Sequence, residues 1–491
     1  MGATNDHSPA SRLRNRLQQK TATVGVVGLG YVGLPLAVEY ADQGFTTVGV
    51  DLDETWVQKL NDGDNYNDDL DDDRIRRLVA EDHLQATSSY DEVDDIDVFF
   101  VCVPTPVTEH KEPDTAYIEA ATASIGEHLR PGQLVILKST TYPTTTETVV
   151  QPILEDAATE KGLTMGADVF LAFSPERIDP GNETYTLENT PVVVGGVTPT
   201  ATDLAEQVTT QVVGEVHTVS SARVAEMEKL LENIYRSVNI ALVNELAQLC
   251  DRIGVSMWEV VEAAATKPFG FQAFYPGPGL GGHCIPVDPH YLSWLAREYD
   301  FETSFITLSA RVNEEMPHYV TNAVVQAVAN QPIRLSEASV LLLGVAFKPN
   351  VDDTRHSPAY TVTKLLRERG VDTIRFADPH VDQFRGSEPD GQELPSVELT
   401  PEILQSHNVA VVLADHDAFD YEQIASHAPC VVDTRNAVAD HVDGELPNVR
   451  TLGEGDFRTR AAPASVRDDA ERDAYLHPPV DGDSDRAKKT L

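Results

Sequence analysis

The feature that most constrains the fold is a glycine-rich turn, G-L-G-Y-V-G, which begins at Gly28 between two short apolar runs. The run VGVV precedes it, and a helix-like segment leads from it to the run TTVGV. A strand, a tight turn and a helix in this order bring the backbone close to a pyrophosphate. Asp51 ends the second run, where a carboxylate binds ribose hydroxyls and repels a 2'-phosphate. The pattern predicts an NAD site formed by Gly28, Gly30, Tyr31, Val32, Gly33 and Asp51.

Two series of short apolar strands predict two parallel sheets. The first series continues at DVFFVCVP, QLVILKST and DVFLAFSP, and the second comprises ASVLLLGVAF, TIRFADPH, NVAVVLADH and CVVDTRN. Such continuous apolar runs are typical of strands buried on both faces of a sheet. The second series lacks G-x-G-x-x-G, so we expect it to bind a different ligand. Thr105 and Thr140 follow strands of the first series and are predicted cofactor contacts, because ligands bind at these strand ends.

An almost unbroken helical pattern runs between the two series, from Ala222 to the first glycine at Gly254. It is long enough to link two domains and to form the interface of a homodimer. The predicted fold class is α/β, with two Rossmann-like doubly wound domains joined by a long central helix and a helical middle domain. The predicted domains are 22–215, 216–330 and 331–457. The segments 1–21 and 458–491 are polar or charged, and we expect disordered tails there.

The composition limits the partners and the location of the chain. It carries 79 acidic against 37 basic residues, a formal net charge of -42, which repels nucleic acid and anionic membranes. Only 11 of the basic residues are lysine, and an acidic, lysine-poor surface suits a halophilic protein in molar salt. No apolar run is long enough for a membrane span, and the N-terminus lacks the apolar stretch of a signal peptide. We therefore expect a cytoplasmic protein.

The segment YPGPGLGGHCIPVDP, residues 275–289, predicts a reactive thiol at Cys284. Four glycines precede the cysteine and let the backbone wrap closely around a ligand, and Asp288 follows within one helical turn. A thiol near a dinucleotide site suits covalent oxidation of an aldehyde, because the thiohemiacetal is a hydride donor and the free aldehyde is not. The other three cysteines lie in apolar strands or a helix, where buried structural thiols are expected: Cys102, Cys250 and Cys430.

Lys229 and Asn233 lie four residues apart on the predicted long helix, and therefore on one face, with Arg236 about one turn further along. On their own these residues would also be consistent with a solvated stripe. Opposite Cys284, they are placed to stabilise a developing oxyanion and to hold a bound water molecule.

Five motifs together resemble the UDP-glucose/GDP-mannose dehydrogenase family. They are G-L-G-Y-V-G-L-P-L-A, S-P-E-R, E-K-L-L-E-N, G-P-G-L-G-G-H-C-I-P-V-D-P and G-V-A-F-K-P-N-V-D-D-T-R, and they occur in the family's order and spacing over roughly residues 22–456. The resemblance implies a four-electron oxidation of the C6 hydroxyl of a nucleotide sugar, with two NAD molecules per sugar and no metal. It implies a thiohemiacetal and then a thioester on the cysteine.

The resemblance also implies catalytic roles for individual residues. Cys284 matches the nucleophile, and Lys229 and Asn233 match the pair that stabilises the oxyanion. Asp288 matches the carboxylate that helps to activate water and stabilises the lysine. Glu176, in S-P-E-R, matches the acid/base group of thioester hydrolysis. Thr140 matches the residue that orients the water molecule used in this step.

Binding roles follow from the same resemblance. Arg355 resembles a cofactor contact that reaches from the C-terminal domain, and Phe347 and Lys348 resemble contacts to the UDP portion of the substrate. Arg311 and Arg435 match the family more loosely. The full set of implied substrate contacts is Glu176, Arg177, Lys229, Asn233, Tyr275, Gly277, Gly281, Arg311, Phe347 and Lys348.

The residues around Cys284 indicate the sugar. UDP-glucose members usually have serine before the cysteine and F-P-K-D after it, whereas this chain has His283 and I-P-V-D-P. These features resemble the branch that acts on UDP-N-acetylhexosamines, with UDP-N-acetylglucosamine favoured and UDP-N-acetylmannosamine close behind. The product would supply surface polysaccharide or glycoprotein glycan synthesis.

Three alternatives remain open from the sequence. The first is a UDP-glucose 6-dehydrogenase. The second is a two-electron hydroxyacid dehydrogenase, which needs neither the cysteine nor a second nucleotide domain. The third is a non-catalytic nucleotide-sensing or scaffold protein, which would tolerate loss of the cysteine and the lysine, although both are present.

Overall fold

The structure is a computed structural model that describes residues 8–67, 70–108, 110–177, 184–282, 285–385 and 393–455. Two domains with parallel sheets flank a helical middle domain, which confirms the predicted α/β fold class. The predicted tail at 458–491 lies outside the described residues. Within them, no helix combines the length and the apolar character that a bilayer span requires.

The first domain is built on eight strands: β1 (Thr23–Val27), β2 (Thr46–Val50), β3 (Leu84–Thr87), β4 (Val98–Val101), β5 (Gln133–Leu137), β6 (Val169–Phe173), β7 (Val192–Gly196) and β8 (Val216–Thr218). They form one sheet in the order β3-β2-β1-β4-β5-β6-β7-β8, in which β6 and β7 pair antiparallel. The first six strands have the order of a dinucleotide-binding fold, whose ligand crevice lies between β1 and β4. Val27 is in register with Val50 and Val101, so the loops after β1, β2 and β4 leave the sheet at one edge.

Among the residues that the structure describes, seven α-helices accompany this sheet: α1 (Pro9–Gln18), α2 (Gly33–Asp42), α3 (Glu54–Asn61), α4 (Asp72–Ala80), α5 (Ala116–Glu127), α6 (Gln151–Glu160) and α7 (Pro199–Thr209). Side chains of α2, α4 and α7 build the apolar core on one face of the sheet, and side chains of α5 and α6 build the core on the other face. The central strands β1, β4, β5 and β6 are almost entirely buried because both faces of the sheet are covered. A short π-helix (Thr146–Val150) precedes α6.

Helix α1 corrects the prediction of a disordered tail over residues 1–21, which is wrong for residues 9–18. Ala10, Leu13 and Leu17 recur at a spacing of three and four, and all three are buried in the core of the first domain. The hydroxyl of Ser8 caps the helix by accepting a hydrogen bond from the backbone N–H of Ser11. Burial of this apolar face stabilises the helix, although the polar composition of the segment predicted disorder. Residues 1–7 lie outside the described residues.

The described part of the middle domain has four α-helices: α8 (Ala222–Ile253), α9 (Met257–Ala265), α10 (Asp288–Arg297) and α11 (Ser304–Ala329). Helix α8 matches the predicted long helix, and it ends where Gly254 adopts a left-handed conformation with φ of 73°. It packs along α11 and also contacts the first domain through β6 and β7. It is therefore the element to which the other parts of the molecule attach.

The C-terminal domain has a five-stranded parallel sheet and a small hairpin. Its strands and helices are β9 (Ser339–Leu343), α12 (Pro358–Glu368), β10 (Thr373–Ala377), β11 (Phe384–Arg385), β12 (Glu393–Leu394), α13 (Pro401–Ser406), β13 (Val409–Val412), α14 (Tyr421–His427), β14 (Val431–Asp433), α15 (Ala437–His441) and β15 (Val449–Thr451). The sheet order is β10-β9-β13-β14-β15. The chain adds β10 on one side of β9 and the later strands on the other side, so the strand order switches between β9 and β13. Ligands of such sheets bind beyond the carboxyl ends of strands at this switch point.

Candidate active site

The glycine turn after β1 has the geometry that a dinucleotide requires. Gly28 has a φ of +90°, and a Cβ atom on Gly33 would lie 1.8 Å from the carbonyl oxygen of Gly28, so neither position accepts a side chain. A Cβ atom on Gly30 would meet nothing closer than the Trp56 ring at 3.9 Å. The turn is thus tightly closed on the protein side and open on the other side. No side chain caps the N-terminus of α2, where its backbone N–H groups can meet a phosphate.

Asp51 connects the end of β2 to this turn. One of its carboxylate oxygens accepts a hydrogen bond from the backbone N–H of Leu29 at 2.6 Å, and the other accepts one from Asp53 at 2.9 Å. The side chain is half-buried, so part of it remains accessible beside the crevice. The residues of this region therefore fit NAD, and the contact of Asp51 with its ribose stays a prediction.

Arg355 joins the C-terminal domain to the glycine turn. Its guanidinium carbon lies 4.1 Å from the centroid of the Tyr31 ring, within the range of a cation–π contact. The carboxylate of Asp353 fixes the guanidinium from the other side at 2.7 Å. The predicted cofactor contacts Tyr31 and Arg355 are thus adjacent although 324 positions separate them in the sequence.

Thr105 and Thr140 lie together at the carboxyl ends of β4 and β5. The hydroxyl of Thr105 donates a hydrogen bond to the backbone carbonyl of Thr140 at 2.5 Å. The hydroxyl of Tyr291, on α10, donates to the backbone carbonyl of Thr105. This bond ties the middle domain to the cofactor side of the first domain.

Glu176 lies in the loop after β6, between two lysines. The Nζ atom of Lys138, at the end of β5, is 3.2 Å from the Glu176 carboxylate. The Nζ atom of Lys229, on α8, donates a hydrogen bond to the backbone carbonyl of Glu176 at 2.5 Å. All three side chains are buried. The predicted catalytic residues Glu176 and Lys229 are therefore in contact, and Lys138 supplies the positive charge that balances the carboxylate.

Asn233 and Asp288 form the second contact of the predicted catalytic set. The amide of Asn233, one turn beyond Lys229 on α8, donates a hydrogen bond to the Asp288 carboxylate at 2.5 Å. Burial raises the pKa of Asp288 to about 6, although the Asn233 hydrogen bond and the charge of Lys229 lower it. Helix α10 begins at Asp288, and residues 285–287 form a turn before it. Cys284 lies outside the described residues, so its predicted place one helical turn before Asp288 stays a prediction.

Glu226 continues the buried polar face of α8 towards the first domain. Its carboxylate accepts hydrogen bonds from the backbone N–H groups of Thr144 and Thr146, at 2.6 and 2.8 Å, and from the Thr146 hydroxyl at 2.6 Å. Thr144 has a φ of 88°, a conformation that is costly for a threonine. Glu226 thereby fixes the loop that carries Thr140. In contrast, Arg236 is exposed, and Ser237 occupies the next position on the buried face.

Arg177 is held by acidic residues of α8. Its guanidinium contacts Glu228, and it lies 2.8 Å from Glu232. Its Nη1 group also donates a hydrogen bond to the carbonyl of Pro191 at 2.7 Å. Burial and the neighbouring Glu232 raise the pKa of Glu228 to about 7, against the lowering effect of Arg177. The structure therefore engages the predicted substrate contact Arg177 in an ion-pair network.

The glycine segment before Cys284 packs against the C-terminal domain. A Cβ atom on Gly281 would lie 2.6 Å from the Cβ atom of Phe347, and one on Gly282 would lie 3.0 Å from its ring. A Cβ atom on Gly277 would lie 2.6 Å from the Arg435 guanidinium. These glycines are needed because side chains of another domain fill the adjacent space. Gly281 thus lies against Phe347 and Gly277 against Arg435, while their contacts to the substrate stay predictions.

The remaining predicted site residues differ in their exposure and contacts, and some lie outside the described residues. Tyr275 is exposed and stacks on Trp258 with ring centroids 5.6 Å apart, and Lys348 is half-buried next to Phe347. Arg311 is exposed on α11. Cys284 and His283 lie outside the described residues, so the role of the thiol stays a prediction. Burial raises the pKa of the Cys102 thiol to about 12, which suits the structural role expected for it.

Two residues of the site were missed by the sequence analysis, namely Lys138 and Glu226. Lys138 ends an apolar strand, and a charged residue at the carboxyl end of such a strand indicates a ligand-side position. Glu226 precedes Lys229 by three residues, a spacing that places both on one helix face. Both patterns are visible in the sequence, but only the fold shows that the partners of these residues lie within reach.

Known proteins share this architecture and its division into three domains. The chain matches the NAD binding domain of the UDP-glucose/GDP-mannose dehydrogenase family over residues 22–213, the central domain over 223–315 and the UDP binding domain over 341–440. It is 36% identical over 420 residues to the NDP-N-acetyl-D-galactosaminuronic acid dehydrogenase of Ralstonia solanacearum, which covers 84% of this chain and 95% of the relative.

Two further relatives bear names of other N-acetylated sugars. The UDP-N-acetyl-D-glucosamine 6-dehydrogenase of Pseudomonas aeruginosa is 38% identical over 363 residues, which are 74% of this chain and 84% of that protein. The solved structure of the UDP-D-ManNAc dehydrogenase from Pyrococcus horikoshii superposes with a TM-score of 0.78 at 31% identity, over 88% of this chain and 99% of the other.

Proposed function

The chain belongs to the UDP-glucose/GDP-mannose dehydrogenase family, and on that premise we propose that it oxidises the C6 hydroxyl of a UDP-N-acetylhexosamine to a carboxylate. The family makes it an NAD-dependent dehydrogenase with a UDP-binding domain. The relatives described above act, by name, on sugars that carry an N-acetyl group, which supports this substrate class over UDP-glucose.

One observation carries the proposal. Lys229 and Asn233, one turn apart on α8, contact Glu176 of the first domain and Asp288 of the middle domain. An ammonium and an amide on one buried helix face suit an oxyanion that develops at C6. The two carboxylates supply the acid/base groups that a hydrolytic step requires. A two-electron hydroxyacid dehydrogenase would have no use for the second carboxylate or the glycine-walled cysteine.

The oxidation proceeds in two stages. In the first stage the C6 hydroxyl loses its proton through a bound water to the Asp288 carboxylate, and Lys229 stabilises the negative oxygen as the aldehyde forms. In the second stage the thiolate of Cys284 adds to the aldehyde, and oxidation of the thiohemiacetal leaves a thioester. NAD supplies the hydride acceptor for each oxidation.

Hydrolysis of the thioester depends on Glu176. Its carboxylate removes a proton from water as the water attacks the thioester carbonyl, and the thiolate of Cys284 leaves. The Nζ atom of Lys138, 3.2 Å from this carboxylate, supplies the positive charge beside it. Lys229 stabilises the tetrahedral oxyanion from α8. The products are the sugar carboxylate and the free enzyme.

A panel of UDP-sugars in molar potassium chloride tests the proposal. The relatives differ in the sugar that they name, so the panel includes UDP-N-acetylglucosamine, UDP-N-acetylmannosamine, UDP-N-acetylgalactosamine and UDP-glucose. We expect two NADH per molecule of one N-acetylated sugar, with UDP-N-acetylglucosamine first. A preference for UDP-glucose, or a yield of one NADH per sugar, would contradict the proposal. The sugar acid produced would serve surface polysaccharide or glycoprotein glycan synthesis.

We also propose that the chain forms a homodimer through α8. The face of α8 opposite its buried polar residues exposes large apolar side chains at a spacing of three, four and seven: Val224, Met227, Leu231, Tyr235, Leu242, Leu246, Leu249 and Ile253. A continuous apolar stripe of this kind usually marks a protein interface. Light scattering should give a dimer for the wild type and a monomer for the Leu231→Glu, Leu242→Glu double variant.

The acidic composition supports a halophilic, cytoplasmic enzyme. Lowering the salt to about 0.1 M lengthens the Debye length to roughly 10 Å, so the acidic groups of a chain with a formal charge of -42 repel each other. We expect the melting temperature to fall as potassium chloride is diluted. A melting temperature that does not change with salt would contradict this part of the proposal.

A further inference from the structure

The loop after β9, residues 344–350, is fixed at its start by a buried carboxylate. Asp378 follows the neighbouring strand β10, and one of its oxygens accepts hydrogen bonds from the backbone N–H groups of Val345 and Ala346, at 2.7 and 3.1 Å. Its other oxygen accepts from the N–H groups of His380 and Val381, at 2.9 and 3.1 Å. Its side chain is completely buried. The carboxylate therefore serves the loop and is not accessible to a ligand.

A buried histidine fixes the other end of the same loop. His416 follows β13, and its Nε2 atom lies 3.2 Å from the oxygen of Asp378 that holds Val345 and Ala346. Its Nδ1 atom accepts a hydrogen bond from the backbone N–H of Asn350 at 3.0 Å. Because Nδ1 accepts, the proton belongs on Nε2, where it bonds to Asp378. The pair thus binds the loop at both ends.

Hydrogen bonds and aromatic rings surround the buried pair of Asp378 and His416. Burial alone would raise the pKa of Asp378, but His416 and the backbone N–H groups hold it below its ordinary value. The rings of His380 and Phe419 pack against His416, with centroids 5.0 and 5.4 Å away. Such a saturated buried network favours one loop geometry over others, because any change leaves a buried polar group without a partner.

The middle of this loop carries the residues that face the rest of the site. Phe347 packs against Gly281 and Gly282, which precede Cys284 by three and two positions, and Lys348 follows Phe347. The loop leaves the sheet between β9 and β13, at the switch point of a domain that matches a UDP binding domain. A shift of the loop would therefore move both a nucleotide contact and the wall of the cysteine segment.

We propose that Asp378 and His416 are positioning residues for nucleotide recognition, which act by holding the loop 344–350 at both ends. This inference rests on the proposed function, since it assumes that the loop contacts UDP. Neither side chain contacts the substrate. Their effect is transmitted through the backbone N–H groups of Val345, Ala346 and Asn350 to Phe347 and Lys348.

The test compares His416→Leu with His407→Leu. His407 is a second buried histidine of the same domain, but its Nδ1 atom bonds to the carbonyl of Ile403 on α13 and not to the loop. Both variants lose a buried histidine and should lower the melting temperature. Calorimetric titration with UDP, below both melting temperatures, should show about tenfold weaker binding for His416→Leu, as the loss of one or two hydrogen bonds implies. His407→Leu should bind UDP like the wild type, and the KM for NAD should stay unchanged in both variants.

His416→Asn serves as the conservative variant. Its side-chain oxygen keeps an acceptor close to the position of Nδ1, so UDP binding should recover to within about threefold of the wild type, even if His416→Leu fails to fold. Equal UDP affinity for the wild type and His416→Leu, equal weakening by His407→Leu, or no recovery with His416→Asn would overturn the positioning role. If the wild type itself does not bind UDP, the proposed function fails as well.

Discussion

The two sheet domains form their first turns on the same backbone frame. Each first strand ends in a glycine of positive φ, Gly28 at 90° and Gly344 at 76°. The N–H of each glycine bonds to the end of the neighbouring strand, to Val50 at 2.8 Å and to Ala377 at 3.0 Å. Each turn then meets a carboxylate that follows that neighbouring strand. The frame is therefore common to the two domains and does not decide which ligand binds.

The two carboxylates show where the domains diverge. Asp51 accepts one hydrogen bond from the turn and stays half-buried beside the crevice, whereas Asp378 accepts two and is enclosed with His416. The first turn continues directly into α2 at Gly33, while the second continues through extended and turn segments to Ser357. The first domain thus presents backbone N–H groups and an open carboxylate, and the second presents the side chains of a fixed loop.

The largest effect should come from Gly33→Ala, which acts only on the first turn. The new Cβ atom would lie 1.8 Å from the carbonyl oxygen of Gly28, and a backbone atom cannot move away without opening the turn. We expect a loss of about 3 kcal/mol in the free energy of unfolding and a loss of NAD binding, with the UDP affinity retained.

Gly30→Ala is the matched control, because its Cβ atom meets only the Trp56 ring at 3.9 Å. It should keep the melting temperature of the wild type and still weaken NAD binding, since the methyl group points to the open side of the turn. If Gly33→Ala bound NAD as tightly as the wild type, the turn would not form the cofactor site.

The next effect concerns Asp288, which is buried like Asp378 but, among the described residues, accepts its hydrogen bond from the Asn233 side chain. The pKa of Asp288 in the folded protein is about 6, above the ordinary value of 3.8. The folded state therefore keeps its proton where the unfolded state has lost it, so the free energy of unfolding falls as the pH rises from about 4 to 6 and then levels off. Burial should account for roughly 3 kcal/mol of this fall.

Asp288→Asn removes this titration while it keeps the shape of the side chain. Urea denaturation at several pH values should show that the variant gains stability relative to the wild type between pH 4 and 6. If the difference in the free energy of unfolding between the variant and the wild type stayed constant across this range, burial would not raise the pKa of Asp288.

A smaller effect is expected for Asp51→Ala. The open carboxylate of Asp51 is the group predicted to select NAD, so its removal should weaken NAD binding about tenfold and leave NADP binding unchanged or improved. UDP affinity should not change, because the equivalent carboxylate of the other domain is untouched. Fluorescence titration with both cofactors measures the ratio, and an unaltered preference would count against the assignment.

The smallest effect tests the contact between the two turns. Arg355→Gln removes the charge that lies 4.1 Å from the Tyr31 ring, a partly exposed contact of about 1 kcal/mol. The KM for NAD should rise by about fivefold, with the UDP affinity unchanged. Tyr31→Phe keeps the ring and is the control. If the two variants behave alike, the ring contact does not link the domains.

Local patterns sufficed for the parts of the fold that short segments determine. The glycine turn, the apolar strands and the long helix that ends at Gly254 all follow from residues close together in the sequence. Helix α1 was not predicted because its apolar face consists of only Ala10, Leu13 and Leu17 among polar and charged residues. A short helix of this kind is stable only through its packing against the core, which the sequence does not reveal.

The site was predictable where one helix carries several members, as with Lys229 and Asn233. It was not predictable where partners come from different strands. Lys138 reaches Glu176 because β5 and β6 are neighbours, and His416 reaches Asp378 because both follow strands that flank β9. Such pairs depend on the order of strands in the sheet, which must be known before they can be found.

The central claim is that the second oxidation and its hydrolysis run through a thioester on Cys284. Intact-protein mass spectrometry of Glu176→Gln after one turnover tests it most directly, because this variant keeps the thiol but lacks the base for hydrolysis. We predict two NADH per sugar and an adduct with the mass of the UDP-sugar acyl group, absent from Cys284→Ser. If Glu176→Gln never accumulates an adduct, or Cys284→Ser still yields two NADH per sugar at the normal rate, the covalent mechanism is wrong.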